Sequence, residues 1–189
     1  MSILKVARMG HPVLRTRARP VPPADIPSAR IQRLIDDMIE TMNEYSGIGL
    51  AGPQVHESLR IFVAGVRTSD APPVELASAA ADMPLIVVIN PQVTPIGEEI
   101  EEGWEGCLSI PDIRGLVPRA VDVRVSAHDR TGQAVRFTAR GLPARVIQHE
   151  TDHLDGVLFF DRMKSLGTLA FMDEYQRYWA KRDEDEHDE

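Results

Sequence analysis

Several things are scarce in this chain, and each scarcity excludes something. There is one cysteine, Cys107, in 189 residues, so no intramolecular disulfide can form and an oxidising compartment is argued against. No apolar run is long enough to cross a bilayer as a helix, and no basic-apolar-small pattern marks a cleavable signal. Aromatics make up only 5% of the chain and never interleave with a basic patch, so sequence-specific nucleic-acid binding is not expected. The glycine-rich stretch at 47–54 lacks the Gly-Lys-Ser/Thr ending of a phosphate loop, which excludes nucleotide binding of that type.

Charge is uneven. Acids outnumber bases by 29 to 21, a net charge of −8, but six of those acids stand in the tail Asp183 to Glu189. The tail is expected to be solvated and disordered, and the body of the protein is only mildly acidic. The first 23 residues hold Lys5, Arg8, Arg15, Arg17 and Arg19 and no acid, superficially like an organellar transit segment. Pro12, Pro20, Pro22 and Pro23 would break the amphipathic helix such a segment needs. With 43% apolar residues, the expectation is one domain over residues 1–182 followed by the tail 183–189.

Periodicity supplies the elements. Ile31, Leu34, Ile35, Met38, Ile39 and Met42 form a 3.6-residue stripe, which predicts a helix over 30–44 capped by Ser28. The 47–54 stretch then reads as a loop whose backbone can approach a ligand. Residues 60–66 and 85–90 read as buried strands, with a flexible surface excursion from Thr68 to Pro84 between them. Val121 to Val125 alternates as a half-buried strand, and Asp129-Arg130-Thr131-Gly132 turns it into a second strand near 133–138. A helix is expected over 142–155, stopped by Gly156, and a last one over 166–180 anchored by Leu166, Leu169, Ala170, Tyr178 and Trp179. The fold class is α+β: small antiparallel sheets packed around a central helix.

That central helix carries the most informative motif, Gln148-His149-Glu150-Thr151-Asp152-His153. Positions i and i+4 share a helix face, so both imidazoles can reach one metal ion, and Glu150 can handle a proton on water bound to it. This layout suits metal-assisted hydrolysis. Catalytic sites of this kind take three protein ligands and leave one position open. Cys107, in Glu105-Gly106-Cys107-Leu108-Ser109, could be the third ligand, a nucleophile or a free thiol, but by residue type alone a small buried hydrophobe is the stronger reading.

Three segments together resemble the peptide deformylase family: Gly47-Ile48-Gly49-Leu50-Ala51-Gly52-Pro53-Gln54, the Cys107 segment and the His149 segment. They occur in the family's order, and the resemblance runs from about Leu4 to about Tyr178. One position departs: Gly52 stands where the family usually has alanine, and the lost methyl is expected to loosen the loop. The resemblance implies that Cys107, His149 and His153 hold the metal, iron(II) with Zn2+, Ni2+ or Co2+ as substitutes. It implies that Glu150 is the general base and acid, and that Gln54 and the Leu108 N–H stabilise the oxyanion. The implied substrate is an N-formyl-methionyl nascent peptide, and the implied setting is the bacterial cytoplasm.

Ile48 and Val146 are expected as walls of a methionine slot, the Gly47-Ile48-Gly49 backbone as a strand partner for the peptide, and Arg114 as a further contact. Asp152 is expected to point away from Glu150 and orient a neighbour. Arg145, one turn before His149, stands where an apolar wall is expected, and is read as snorkelling outward or altering substrate preference. Ribosome docking through Lys181-Arg182 and the acids after them is expected to be weak or absent, because phosphates repel acids. Two other readings remain open from the residues: a zinc endopeptidase, and a metal-stabilised scaffold without activity. The scaffold would need a fourth ligand, with His11, His56, His128 and His187 to choose from. His128 is expected in a solvated turn.

Overall fold

The structure is a computed structural model that describes residues 2–65 and 83–180. The expected excursion from Thr68 lies outside the described residues except for Met83 and Pro84, and the acidic tail lies outside them entirely.

The apolar stripe folds as helix α1, Ala29–Glu44. Ser28 Oγ accepts from the Ile31 N–H at 3.4 Å, satisfying one of the donors a helix start leaves open. Among the described residues eight strands follow: β1 (Gly49–Ala51), β2 (Ile61–Ala64), β3 (Ile86–Pro95), β4 (Ile100–Cys107), β5 (Ile110–Ala120), β6 (Asp122–His128), β7 (Ala134–Arg140) and β8 (Ala170–Phe171). Helix α2, Leu142–Leu154, lies between β7 and β8, and a short helix α3, Met172–Tyr178, ends the described chain. The architecture is α+β, with two antiparallel sheets ordered β1-β2-β3-β6-β7 and β4-β5-β8.

The larger sheet explains the position of α2. Every residue of β2 is buried, because side chains alternate between two covered faces. Ile61 and Val63 pack with Ile35, Met38 and Met42 of α1. Phe62 and Ala64 pack with Ala144, Ile147 and Leu154 of α2. The helix is therefore clamped by its apolar face against the sheet, and its opposite face turns to the smaller sheet. Gly156, at φ 76°, supplies the left-handed residue just past its end.

Four expectations change. The predicted 47–54 loop is strand β1 followed by a 3-10 turn, Gly52–Val55. The strand predicted at 85–90 runs on to Pro95, because a register shift between Ile89 and Gln92 accommodates Pro91, which cannot donate to the ladder. The predicted helix over 166–180 divides into a 3-10 turn at Leu166–Thr168, strand β8 and α3. Leu166, Leu169 and Tyr178 are exposed rather than anchoring. Trp179 anchors this end as expected, joined by Tyr175: both pack on Trp104 of β4, with ring centroids 5.5 and 4.8 Å away. His128 ends strand β6, half-buried, rather than lying in a solvated turn.

Candidate metal centre and active site

Two elements bring three donor atoms together. Cys107 ends β4, where the β4–β5 register slips between Gly106 and Cys107. His149 and His153 stand one turn apart on α2, their rings edge to face with centroids 5.0 Å apart. The sulfur and one nitrogen of each ring all lie within 4.8 Å of one another, and Cys107 Sγ is 3.2 Å from His153 Nε2. Burial pushes the Cys107 thiol up, but the His153 and His149 imidazoles outweigh it and hold it well below its ordinary value. Burial pushes His149 down, but Cys107 and Glu105 outweigh that and raise it well above its ordinary value. A thiolate and two imidazoles converging in this way fit a divalent cation in a three-ligand site. Among the described residues no other histidine joins this group.

Glu105 fixes how His149 presents itself. The Nδ1 of His149 lies 2.9 Å from Glu105 Oε2, so an Nδ1–H donates there and Nε2 is left to bind a metal. The carboxylate also receives Arg119 at 2.8 and 3.0 Å and Arg145 at 3.1 Å. Burial pushes the Glu105 carboxyl up, but the hydrogen bonds from Arg119 and His149 hold it at about 2. Arg119 continues to Asp152 of α2 at 2.5 Å, and Asp152 receives Arg162 at 2.6 and 3.1 Å. Asp152 thus orients neighbours, as expected, but those neighbours are two arginines outside the histidine motif. Glu105 and Arg119 are functional residues that local sequence pattern does not reveal. Glu105 sits in the cysteine motif, so adjacency is its only signal, while Arg119 has none.

Glu150 is 3% exposed and turns toward β1. Its Oε2 is buried without a hydrogen-bond partner, and burial, opposed by His149 and His153, raises its carboxyl to about 7. A Cβ on Gly49 would stand 2.7 Å from Glu150 Cδ and 2.9 Å from Cγ, so the glycine makes room for the acid. Gln54 is fixed from one end: its Oε1 accepts from the Ala51 N–H at 2.8 Å. Its Nε2 is thereby turned toward Cys107 Sγ, at 3.5 Å, and Ser109 Oγ, at 3.3 Å. Backbone N–H groups of Ala7 and Met9 bond the carbonyls of Gln54 and Ser109, strapping the two motifs together.

A cavity of about 510 Å³ opens onto this group, and its lining includes Ile48, Gly49, Leu108, Arg114, Val146 and Glu150. Every residue singled out from sequence as touching the peptide is therefore on its wall. Arg114 also lies over the Tyr175 ring, 5.1 Å from its centroid. Two readings are corrected. Arg145 does not snorkel outward: it is 9% exposed, its guanidinium turns inward onto the β4–β5 hairpin, and it borders the cavity. Gly52 does not loosen its loop, since a Cβ there would lie 2.7 and 2.8 Å from the Glu57 and Leu59 carbonyl oxygens. The missing methyl is filled by close backbone packing.

Comparison with known proteins agrees with this geometry. Residues 3–168 match the polypeptide deformylase family. The chain is 42% identical over 179 residues to peptide deformylase 2 of Nostoc sp., covering 95% of this chain and 96% of that one. It is 42% identical to peptide deformylase 1 of Bordetella pertussis over 88% of this chain and 90% of that one. Among solved structures, a Met-Ala-Ser-bound class I type b peptide deformylase from Acinetobacter baumannii superposes with a TM-score of 0.77 at 38% identity, covering 86% of this chain and all of that one. The chain belongs to the polypeptide deformylase family, enzymes that remove the N-formyl group from nascent peptides.

Proposed function

We propose that the Cys107, His149 and His153 site hydrolyses the formyl group from the N-terminal formyl-methionine of newly synthesised proteins, releasing formate and a free α-amino group. The observation that carries this reading is Glu150 Oε2, buried and unpartnered beside a three-donor triangle that opens onto a cavity. A structural metal site would be closed by a fourth protein ligand and would have no use for such an acid.

Cys107, His149 and His153 would hold one divalent ion, iron(II) in the cell with zinc, nickel or cobalt able to substitute. When bound, that ion lowers the pKa of water toward neutrality and polarises the formyl oxygen. The remaining work falls to the chain. Glu150 accepts the proton of the attacking water and delivers it to the leaving amine nitrogen as the C–N bond breaks. Gln54 Nε2, pre-aimed by the Ala51 N–H, donates with the Leu108 N–H to the oxygen where negative charge develops. Glu105 keeps His149 in the tautomer that leaves Nε2 available.

The substrate is positioned by apolar and backbone contacts. Ile48 and Val146 receive the flexible methionine side chain. Strand β1 stands at the edge of its sheet, so Gly47 to Gly49 can hydrogen-bond an extended peptide as an added strand, with Arg114 further along it. The setting is the bacterial cytoplasm, with at most weak association with the ribosome.

The test is formate release from formyl-Met-Ala-Ser by anaerobically purified protein, with metal content assayed on the same sample. Fast release at about one metal per chain, abolished by Glu150→Ala with metal retained, is the expected result. Full metal occupancy with no release would overturn the reading.

A further inference from the structure

The metal ligands come from two elements that the chain does not tie closely together: Cys107 from the β4–β5 hairpin, His149 and His153 from α2. Their mutual distance depends on what bridges hairpin and helix. Glu105 reaches His149, Arg119 reaches Asp152, and Gln148 exchanges hydrogen bonds with the backbone of Ala120 at 2.9 and 3.2 Å. Arg145 makes the broadest bridge. It stands one turn before His149, and its NH1 donates to the Val117 carbonyl at 2.7 Å, to Glu105 Oε1 at 3.1 Å and to the Gly103 carbonyl at 3.3 Å. Its NH2 donates to the Glu101 carbonyl at 2.9 Å. One guanidinium thus grips both strands of the hairpin and the carboxylate that orients His149.

The hairpin is shaped to receive it. Gly103, paired with Val117 across the ladder, leaves the space in which the guanidinium lies. A Cβ at Gly103 would come within 2.8 Å of Arg145 Cζ and of NH2 and 3.0 Å of Nε. No other side chain type at 103 lets a planar fork lie against the strand.

We propose that Arg145 is a positioning residue: seated on Gly103, it locks the Cys107-bearing hairpin to the His149-bearing helix and so sets the spacing of the metal-binding triangle. This inference rests on the metal reading of that triangle. Arg145 is not one of the three donors, and although it borders the cavity, its guanidinium bonds all go to the hairpin, so its effect on the metal must pass through ligand geometry. Outer partners of metal ligands are typically worth about 10- to 100-fold in affinity.

Cobalt(II) binding tests it, read from the absorption bands of the cobalt–thiolate site and from competition with a chelator, beside formate release. Arg145→Met keeps an unbranched apolar stem and removes the fork. Gly103→Ala keeps every polar group and adds only the methyl that dislodges the fork. Both are expected to raise the cobalt Kd by about tenfold or more, to shift the bands, and to lower kcat with little change in KM. Arg145→Lys, a single point donor, is expected to fall between wild type and Arg145→Met. If Arg145→Met does not fold, Gly103→Ala and Arg145→Lys decide the matter by the same readouts. Wild-type cobalt affinity and bands in the folded variants, with only the melting temperature lowered, would overturn the proposal by making Arg145 merely structural. Wild-type protein that takes up no cobalt would overturn it together with the metal reading beneath it.

Discussion

Gly49→Ala is the smallest change that should disable the site, and the structure sets its size. Backbone conformation is no obstacle, because Gly49 is not among the glycines with positive φ. Space is the obstacle. The new Cβ would stand 2.7 Å from Glu150 Cδ and 2.9 Å from Cγ, where carbon atoms ordinarily rest about 3.5–4.0 Å apart. A clash with the tip of a long side chain is relieved by rotation, but here the stem is involved and Glu150 is 3% exposed. The carboxylate must therefore move by about 1 Å, and a displacement of that size near reacting atoms costs about 10²-fold in rate. That is about 2.7 kcal/mol of barrier. The metal ligands are untouched, so metal content should hold while kcat on formyl-Met-Ala-Ser falls. Gly49→Ala with full metal and unchanged kcat would refute the assignment of Glu150 as the proton carrier. Loss of metal as well would show that the strand, not the acid, absorbed the methyl.

The other predictions concern what supports the site. Arg119→Met leaves Glu105 and Asp152 without the buried cation between them and should cost about 3–5 kcal/mol. At roughly 2–4 °C per kcal/mol for a chain of this size, the melting temperature should fall by about 10 °C, and an unchanged melting curve would sink the idea that this bridge is structural. Stripping the metal with a chelator removes a ligand of the folded state alone. At a thousandfold excess over Kd that withdraws about 4 kcal/mol, again about 10 °C by thermal melt, and indifference to chelation would argue against a bound metal. Asp161 offers a pH test. Burial pushes its carboxyl up, but hydrogen bonds from Arg15 and the Leu158 N–H outweigh that and lower it. Its folded pKa lies below its unfolded one, so its stabilisation is present above about pH 4 and fades as pH falls through the folded value. Asp161→Asn should be less stable than wild type at pH 7 in urea titrations, and the gap should narrow below about pH 4; a gap that widens in acid would reverse the sign.

What was legible in the sequence was whatever local periodicity or spacing encodes. The α1 stripe, the β6–β7 hairpin with its Asp129 turn, and the histidine pair on α2 were all found near their true places. Each is specified by residues within a few positions of one another. The β4–β5 hairpin was not found, although it carries Cys107. Its first strand reads Ile100-Glu101-Glu102-Gly103-Trp104-Glu105-Gly106, and two glycines with three acids break the alternation that marks a strand. The structure gives reasons for two of these breaks. Glu105 is acidic because it holds His149, Arg119 and Arg145, and Gly103 is small because Arg145 lies against it. The same pairing explains why the outward turn expected of Arg145 does not occur. A charge on the buried side of a helix looks like an error to be relieved by snorkelling until the carbonyls that receive it are known, and those carbonyls come from strands 28 to 44 residues earlier in the chain. Strand irregularity and helix irregularity are two halves of one contact, and neither half predicts the other without the fold. Where local rules failed together, in the hairpin and on the helix facing it, they failed at the place that sets the spacing of the metal ligands, as expected when a site is built at the expense of regular structure.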